Sequence, residues 1–294
     1  MNRRVIIPFV LMTLVLLLIS ACNMGPADPE ERPEGLVRLI GPDGNVVWRF
    51  TGDTLAGLLK KSDLPSNMTD PFCHVYSTIN NWPTPKFYVA EGYRLDSILT
   101  AAGLYDEAQT VTFRAGDDYE ACLTKEQLKA GQFCYPFAGE SDQGAEEVYP
   151  VIAYRWCEGT DDLSQIRDNT PTLLIGQRNP FEQSNPAYVV RVYDIIVSYE
   201  PCEIWPPASV FPAAGPIAAG ETVKLQHPSF GKVKLYYTLD GSEPTMLSPM
   251  YNPSTYQLEL NKPIPITEPT VIKVKAVGYG KLDSETVEFE FVPL

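Results

Sequence analysis

Residues 201–216 hold five prolines, Pro201, Pro206, Pro207, Pro212 and Pro216, and a single charge, Glu203. Proline lacks a backbone N–H and fixes φ, so neither a helix nor a central strand runs through such a stretch. It reads as a stiff connector that divides the chain into halves of different pattern. Before it, helical repeats alternate with apolar runs. After it comes no convincing helix. Residues 222–225, 233–237, 271–277 and 286–291 are β runs separated by Pro, Gly and Asn. The alternation Val287-Glu288-Phe289-Glu290-Phe291 turns one face inward. Residues 217–294 are therefore expected to form a small all-β sandwich, with the connector at 201–216.

The half before the connector, residues 35–200, mixes both periodicities. Two apolar runs around Gly41-Pro42-Asp43-Gly44 predict a hairpin. Residues 54–64 predict a short helix with Leu55, Leu58 and Leu59 on one face and Thr51 or Asp53 as its cap. Leu95, Ile98, Leu99 and Ala102 recur at helical spacing, and Gly103 ends that helix. Residues 110–113 and 120–123 are strands around an Asp117-Asp118-Tyr119 turn. Thr124-Lys125-Glu126-Gln127 is a capping box opening a helix that ends near Gly131. Residues 132–148 read as an irregular loop. Its Glu140, Asp142, Glu146 and Glu147 lack EF-hand spacing and read as a solvated face rather than a calcium site. Residues 151–156, 172–175 and 189–198 supply further strands. The sum is an α+β domain around a mixed sheet, followed by a sandwich of immunoglobulin-like type.

Arg3 and Arg4 open the chain, residues 5–19 are almost wholly apolar, and Ile19-Ser20-Ala21-Cys22 closes the run. The run is short for a spanning helix and patterned as an export signal. It resembles a bacterial lipoprotein lipobox. That resemblance implies removal of residues 1–21, a lipid on Cys22, and residence on the extracytoplasmic face of the bacterial cell membrane, held there through the Cys22 anchor. Residues 22–34, rich in Pro and Glu, then form a flexible tether. The formal charge is −14, and loss of Arg3 and Arg4 makes it −16. Such a surface repels phosphate backbones, which argues against nucleic acid as a partner.

Five cysteines remain beyond Cys22: Cys73, Cys122, Cys134, Cys157 and Cys202. Export permits disulfides, and an odd number leaves at least one thiol outside any intrachain pair. No Cys-x-x-Cys pair suggests structural zinc. Scarce residue types gather between Phe72 and Pro83, where Cys73 and His74 stand side by side and Tyr76 and Trp82 follow, with Phe87 and Tyr88 close behind. On a loop these aromatics would stack against a sugar ring or a partner; in a core they would simply be buried. His74 reads as a packed or hydrogen-bonded side chain rather than a ligand.

Two resemblances cover most of the mature chain. Tyr237-Thr238-Leu239-Asp240-Gly241-Ser242-Glu243-Pro244-Thr245, with Ser248 and Tyr251, resembles the Y-T-x-D-G-x-x-P signature of the chitobiase/β-hexosaminidase C-terminal-type sandwich. Residues 272–278 and 282–284 resemble its closing half. The implied role is an accessory module on cell-surface proteins, and no paired-carboxylate constellation points to hydrolysis. The large domain resembles the molybdopterin-binding domain of sulfite-oxidase-type oxidoreductases, through Cys73, the run Gly92-Tyr93-Arg94-Leu95-Asp96-Ser97-Ile98-Leu99, Ala101-Ala102-Gly103 and the strands that follow. That resemblance implies a molybdopterin cofactor with Cys73 as the molybdenum ligand, a soft sulfur on a soft metal. The chain departs from the pattern at 169–176, where Thr172 stands near the family's Arg, and basic residues for the cofactor phosphate are not clustered. The expectation is thus a cell-surface binding or scaffold protein whose large domain keeps the scaffold without catalysis, with Cys73 structural or disulfide-bonded. The alternatives are a molybdopterin-dependent oxidoreductase using Cys73 and a cell-wall glycan binder. The partners these readings imply are the membrane, wall glycan or another surface protein.

Overall fold

The computed structural model describes residues 35–294. The expected export signal, Cys22 and the expected tether lie outside the described residues. The described chain is mostly β-sheet with a few short helices. The first half carries β1 (Val37–Ile40), β2 (Val46–Phe50), α1 (Gly52–Leu59), α2 (Ser66–Thr69), β3 (Phe72–Ile79), β4 (Pro85–Arg94), α3 (Leu95–Ala101), β5 (Thr110–Ala115), β6 (Glu120–Thr124) and α4 (Lys125–Lys129). There follow β7 (Gln132–Cys134), β8 (Glu146–Val148), β9 (Val151–Glu158), β10 (Asp168–Leu174), β11 (Val189–Val190) and β12 (Val192–Ser198).

Ten of these strands form two five-stranded sheets where the sequence pattern suggests one, and β7 and β8 form a two-stranded sheet of their own. The first has the order β2-β1-β12-β5-β6 and the second β11-β10-β9-β4-β3. The first is mixed, because β1 runs parallel to β12. Arg38 ties that pair from β1, its guanidinium gripping the buried Asp194 carboxylate of β12 at 2.6 and 2.9 Å. The apolar run at 189–198 splits because Arg191 takes a left-handed φ of 59°. β11 pairs with β10 in the second sheet, while β12 pairs with β1 and β5 in the first. One core joins both sheets, with Val37, Phe113 and Ile195 from the first and Tyr76, Tyr88 and Ile152 from the second. Leu55 and Leu59 of α1 and Leu95, Ile98 and Leu99 of α3 complete it.

Local signals act as their chemistry dictates. Thr51 caps α1 in a reciprocal box with Thr54. The helix stops at Leu59 rather than 64, where the Ser62 hydroxyl donates to the Leu59 carbonyl. Thr124 and Gln127 close their capping box on α4. Gly103 follows α3 with φ +71°. The stretch around Cys73 is not a loop. It is β3, paired with β4 from Phe72–Gly92 to Ile79–Pro85. Tyr76 to Ile79 are buried at every position, because both faces of β3 are covered there, and no alternation marks the strand. Residues 132–148 contain the β7–β8 hairpin.

The second half begins inside the proline-rich stretch. β13 (Ser209–Phe211), β14 (Gly215–Ile217), β15 (Thr222–Gln226), β16 (Val233–Thr238), β17 (Ile264–Pro265), β18 (Thr270–Gly278) and β19 (Val287–Pro293) form sheets β13-β15-β17 and β14-β19-β18-β16. β13 and β14 are edge strands, where a missing N–H costs little. Trp205, ahead of them, is buried in the sandwich core with Leu225, Leu235, Ile272 and Phe291. The segment 237–248 shapes a loop. Thr238 donates to Ser242 O at 2.6 Å, Ser242 N and Oγ both donate to Asp240 Oδ1, and Thr245 N donates to Ser248 Oγ. Gly241 supplies the φ of +80° that this tight turn requires. The described residues, 35–294, belong to one compact unit.

The tightest backbone approach lies at Gly92, where the β4–β9 register shifts. A Cβ there would sit 2.5 Å from both Ala153 Cα and Ile152 O. Backbone cannot move aside as a flexible side chain does. Gly92→Ala is expected to destabilise the protein by about 1–3 kcal/mol, as overpacking does. Urea unfolding monitored by tryptophan fluorescence measures it, and unchanged stability would show that β4 and β9 separate freely.

Candidate functional site

Cys73 lies on an exposed part of β3 and is a free thiol, as are Cys122, Cys134, Cys157 and Cys202. Register places it opposite Glu91 of β4, which faces Arg155 of β9, which faces Asp168 of β10. Arg155 donates to Glu91 at 2.9 Å and to Asp168 at 3.2 Å. Partial burial raises the Cys73 thiol pKa, Glu91 raises it further, and Arg155 opposes them. The site therefore disfavours a thiolate. His74 points to the other face of the strand. Its Nε2 lies 3.1 Å from Glu146 and its ring stacks on Phe72. Thr172 is buried in β10, its hydroxyl donating to Thr170 O. The groove beside Gly92 carries Asp53, Glu91 and Asp168 against Arg155 alone. A phosphate-bearing, anionic molybdopterin meets excess negative charge there, and the one guanidinium is already held by two carboxylates. The residues do not fit that cofactor. Among the described residues, no group of three or more His, Cys, Asp or Glu is gathered to hold a metal.

His227, the second histidine, is structural. Its Nδ1 accepts from Ser229 N at 2.9 Å and its Nε2 pairs with Pro206 O at 2.8 Å.

The convergent site lies elsewhere, where the sandwich meets the large domain. A polar seam joins them. The buried Gln127 amide, fixed by its own capping box, donates to Gly278 O at 2.8 Å and accepts from Gly280 N at 3.2 Å. Gln183 donates to Pro253 O at 2.6 Å, and Ser254 donates to Asn81 O at 2.7 Å. At the centre, buried Glu182 accepts from Arg178 N at 2.5 Å, from Arg178 Nε and Nη2 at 2.9 and 2.6 Å, and from Tyr279 OH at 2.6 Å. Burial alone would pull the Arg178 guanidinium down; Glu182, and then Tyr279, outweigh it and hold it above its ordinary value.

Above this seam opens a cleft of about 740 Å³. Lys234 of β16 lies in its wall and donates to two uncharged oxygens, Asn81 Oδ1 at 3.3 Å and Asn252 O at 3.2 Å. Among the described residues it has no carboxylate partner within 4.0 Å. Burial pulls its ammonium down to about 8. Asn252 is itself fixed, accepting from Leu235 N and donating to Val233 O and Phe230 O. Gln183 and Trp205, both buried, line the cleft, and Gln183 Oε1 and Trp205 Nε1 have no hydrogen-bond partner. Tyr119 and Tyr256 stand at the lining, both well exposed. None of these residues was singled out by the sequence as a site. The one local hint is Gly278-Tyr279-Gly280, a tyrosine between two glycines at a strand end.

Fold and site define a two-domain, β-rich protein with a ligand-sized cleft at the domain boundary. Residues 212–288 match the family model of the chitobiase/β-hexosaminidase C-terminal domain. The chain thus contains a domain of that kind, and it spans most of the sandwich. No curated protein matches the chain.

The half-buried Lys234 makes stability depend on pH. The unfolded lysine keeps its proton up to about 10.4, so between pH 8 and 10 the unfolded chain binds more protons. Stability contributed by Lys234 therefore rises with pH through that window. Above pH 10 the buried hydroxyls of Tyr76, Tyr188 and Tyr279, pushed up by burial, reverse the trend. From pH 7.5 to 9.5 the native protein should gain about 2 kcal/mol relative to Lys234→Met. Parallel urea titrations of the two proteins measure this; identical pH profiles would mean that Lys234 is solvated.

Proposed function

We propose that this protein is a lipid-anchored, extracytoplasmic binding protein of the bacterial cell surface. Cys22 carries the anchor and the cleft between the two domains takes the ligand. In this reading the large domain keeps a scaffold like the molybdopterin-binding domain of sulfite-oxidase-type enzymes without its cofactor. The accessory sandwich supplies the second wall. The observation that carries the reading is the cleft itself: a partly buried ammonium with only neutral partners, beside two buried polar atoms with none. An unpaired buried polar group costs free energy, and at the wall of an open cleft a ligand hydroxyl or amide can supply the missing partner.

The rival reading, an oxidoreductase with Cys73 on molybdenum, draws on the exposure of that thiol. Partial burial and Glu91 beside it disfavour the thiolate that a metal would need, and neither the acidic groove beside Gly92 nor the interdomain cleft is lined by Cys73. Protein purified from a host that makes molybdopterin is expected to carry no stoichiometric molybdenum by mass spectrometry, and Cys73→Ser should leave stability and ligand binding unchanged. Near-equimolar molybdenum that is lost in Cys73→Ser would replace the binding reading with the enzymatic one. For the anchor, native protein should fractionate with membranes and Cys22→Ala should not. Unchanged processing and full membrane retention of Cys22→Ala would end the lipoprotein reading.

A further inference from the structure

We propose that the interdomain cleft binds an acidic saccharide, with Lys234 taking the sugar carboxylate and Tyr119 and Tyr256 taking the faces of the rings. The inference rests on the cleft being the ligand site and adds the class of ligand.

Charge comes first. The chain carries −14 overall, yet the cleft is lined by Arg178, Lys232, Lys234 and Lys281 against Glu120 and Glu182. Within that set Arg178 is committed to Glu182, Lys281 to Glu203, and Glu120 to Arg114. The charge left for a ligand is the ammonium of Lys234, with Lys232 two residues before it. An ammonium has three donors, and Lys234 uses two. A compact point charge of this kind suits one carboxylate. A phosphate recognised bidentately would call on a guanidinium, and the one in the cleft is already gripped by Glu182.

Shape and polarity come second. Tyr119 and Tyr256 are 44% and 64% exposed, and both rings are held. Tyr119 OH donates to Pro186 O at 2.6 Å. Tyr256 stacks on Trp82 of the β3–β4 turn with centroids 5.1 Å apart and planes 8° from parallel. Flat, fixed aromatic faces with a polar edge bind rings that are apolar on one face and hydroxylated at the rim, and fixing them beforehand lowers the ordering cost of binding. The Gln183 amide is oriented by its bond to Pro253 O, so its Oε1 is an acceptor left over for a ligand hydroxyl. Trp205 Nε1 is the complementary donor. One carboxylate, several hydroxyls and stacking faces together describe a sugar acid. The volume of about 740 Å³ lies within the range of ligand pockets and admits an oligosaccharide of a few rings.

The test uses calorimetric titration of the mature protein. The probes are trigalacturonate and sialyllactose, two sources of a sugar carboxylate, and their neutral counterparts, the trigalacturonate methyl ester and lactose. At least one acid probe should bind, and its neutral counterpart should bind about tenfold more weakly or worse, as loss of a charge-assisted hydrogen bond implies. Lys234→Met should erase that difference, and Lys234→Gln serves as a second variant should the first fail to fold. Tyr256→Ala should weaken acid and neutral forms alike. Equal affinity for acid and neutral probes, or binding of neither acid, overturns the acidic-saccharide proposal. Binding that survives both Lys234→Met and Tyr256→Ala unchanged overturns more, because it removes the ligand from the cleft and with it the cleft reading of function.

Discussion

Glu182 is the residue on which the arrangement of the two domains depends. It is a carboxylate only 3% exposed, and an ion so buried survives only when its oxygens are fully engaged. Four hydrogen bonds do this, three from Arg178 and one from Tyr279. Three of the four come from the same loop as Glu182. The fourth comes from the strand end of the sandwich. The loop also donates through Gln177 to Pro180 O and Glu182 O and accepts at Gln177 from Ser77 of β3. A single buried charge therefore fixes a loop, ties it to the second sheet, and positions the sandwich against it. An apolar contact of equal area would not specify one orientation so closely, because it lacks directional bonds.

The seam also explains why the cleft above it is cationic in an acidic protein. Arg178 and Lys234 both stand where the domains meet, but their environments differ. Arg178 gains from its neighbours more than burial costs it, and Lys234 does not. The two cations differ in their partners: Arg178 neutralises the Glu182 carboxylate that Tyr279 of the sandwich also binds, and Lys234 is left with neutral oxygens. Lys281 on the rim lies 5.1 Å over the Trp205 ring and pairs with Glu203, which fixes the edge of the sandwich that the connector approaches.

What the sequence made legible was local. The Pro42-Asp43-Gly44 turn, the Thr124–Gln127 capping box and Gly103 at the end of α3 act within a few residues, so their chemistry is complete in the local sequence. The motif at 237–248 was legible for the same reason, because its Asp240, Ser242 and Ser248 bonds close within a few positions. β3 was illegible because Tyr76 to Ile79 are buried on both faces, which removes the period of two. β13 and β14 were hidden by the prolines that mark them as edge strands. Gln127 shows both sides of this boundary. Its capping role could be read four residues at a time, whereas its bonds to Gly278 and Gly280 span about 150 positions and no periodicity encodes them.

The same limit accounts for the emphasis on Cys73. A cysteine, a histidine and a tryptophan within ten residues draw notice because those types are scarce, but scarcity in sequence is not convergence in space. Alternation sends Cys73 and His74 to opposite faces of β3, and Trp82 lies at the far turn, where it backs Tyr256 of the other domain. The cleft is instead assembled from common residue types, Tyr119, Gln183, Lys234 and Tyr256, each unremarked in its own segment. They come together because the Glu182 and Gln127 bonds hold one domain against the other. Those bonds are buried and directional, and they place half-buried Lys234 in the cleft wall with two neutral oxygens as its partners. A charge so placed, partly out of water and facing neutral partners, interacts more strongly with an opposite charge than one on the open surface does.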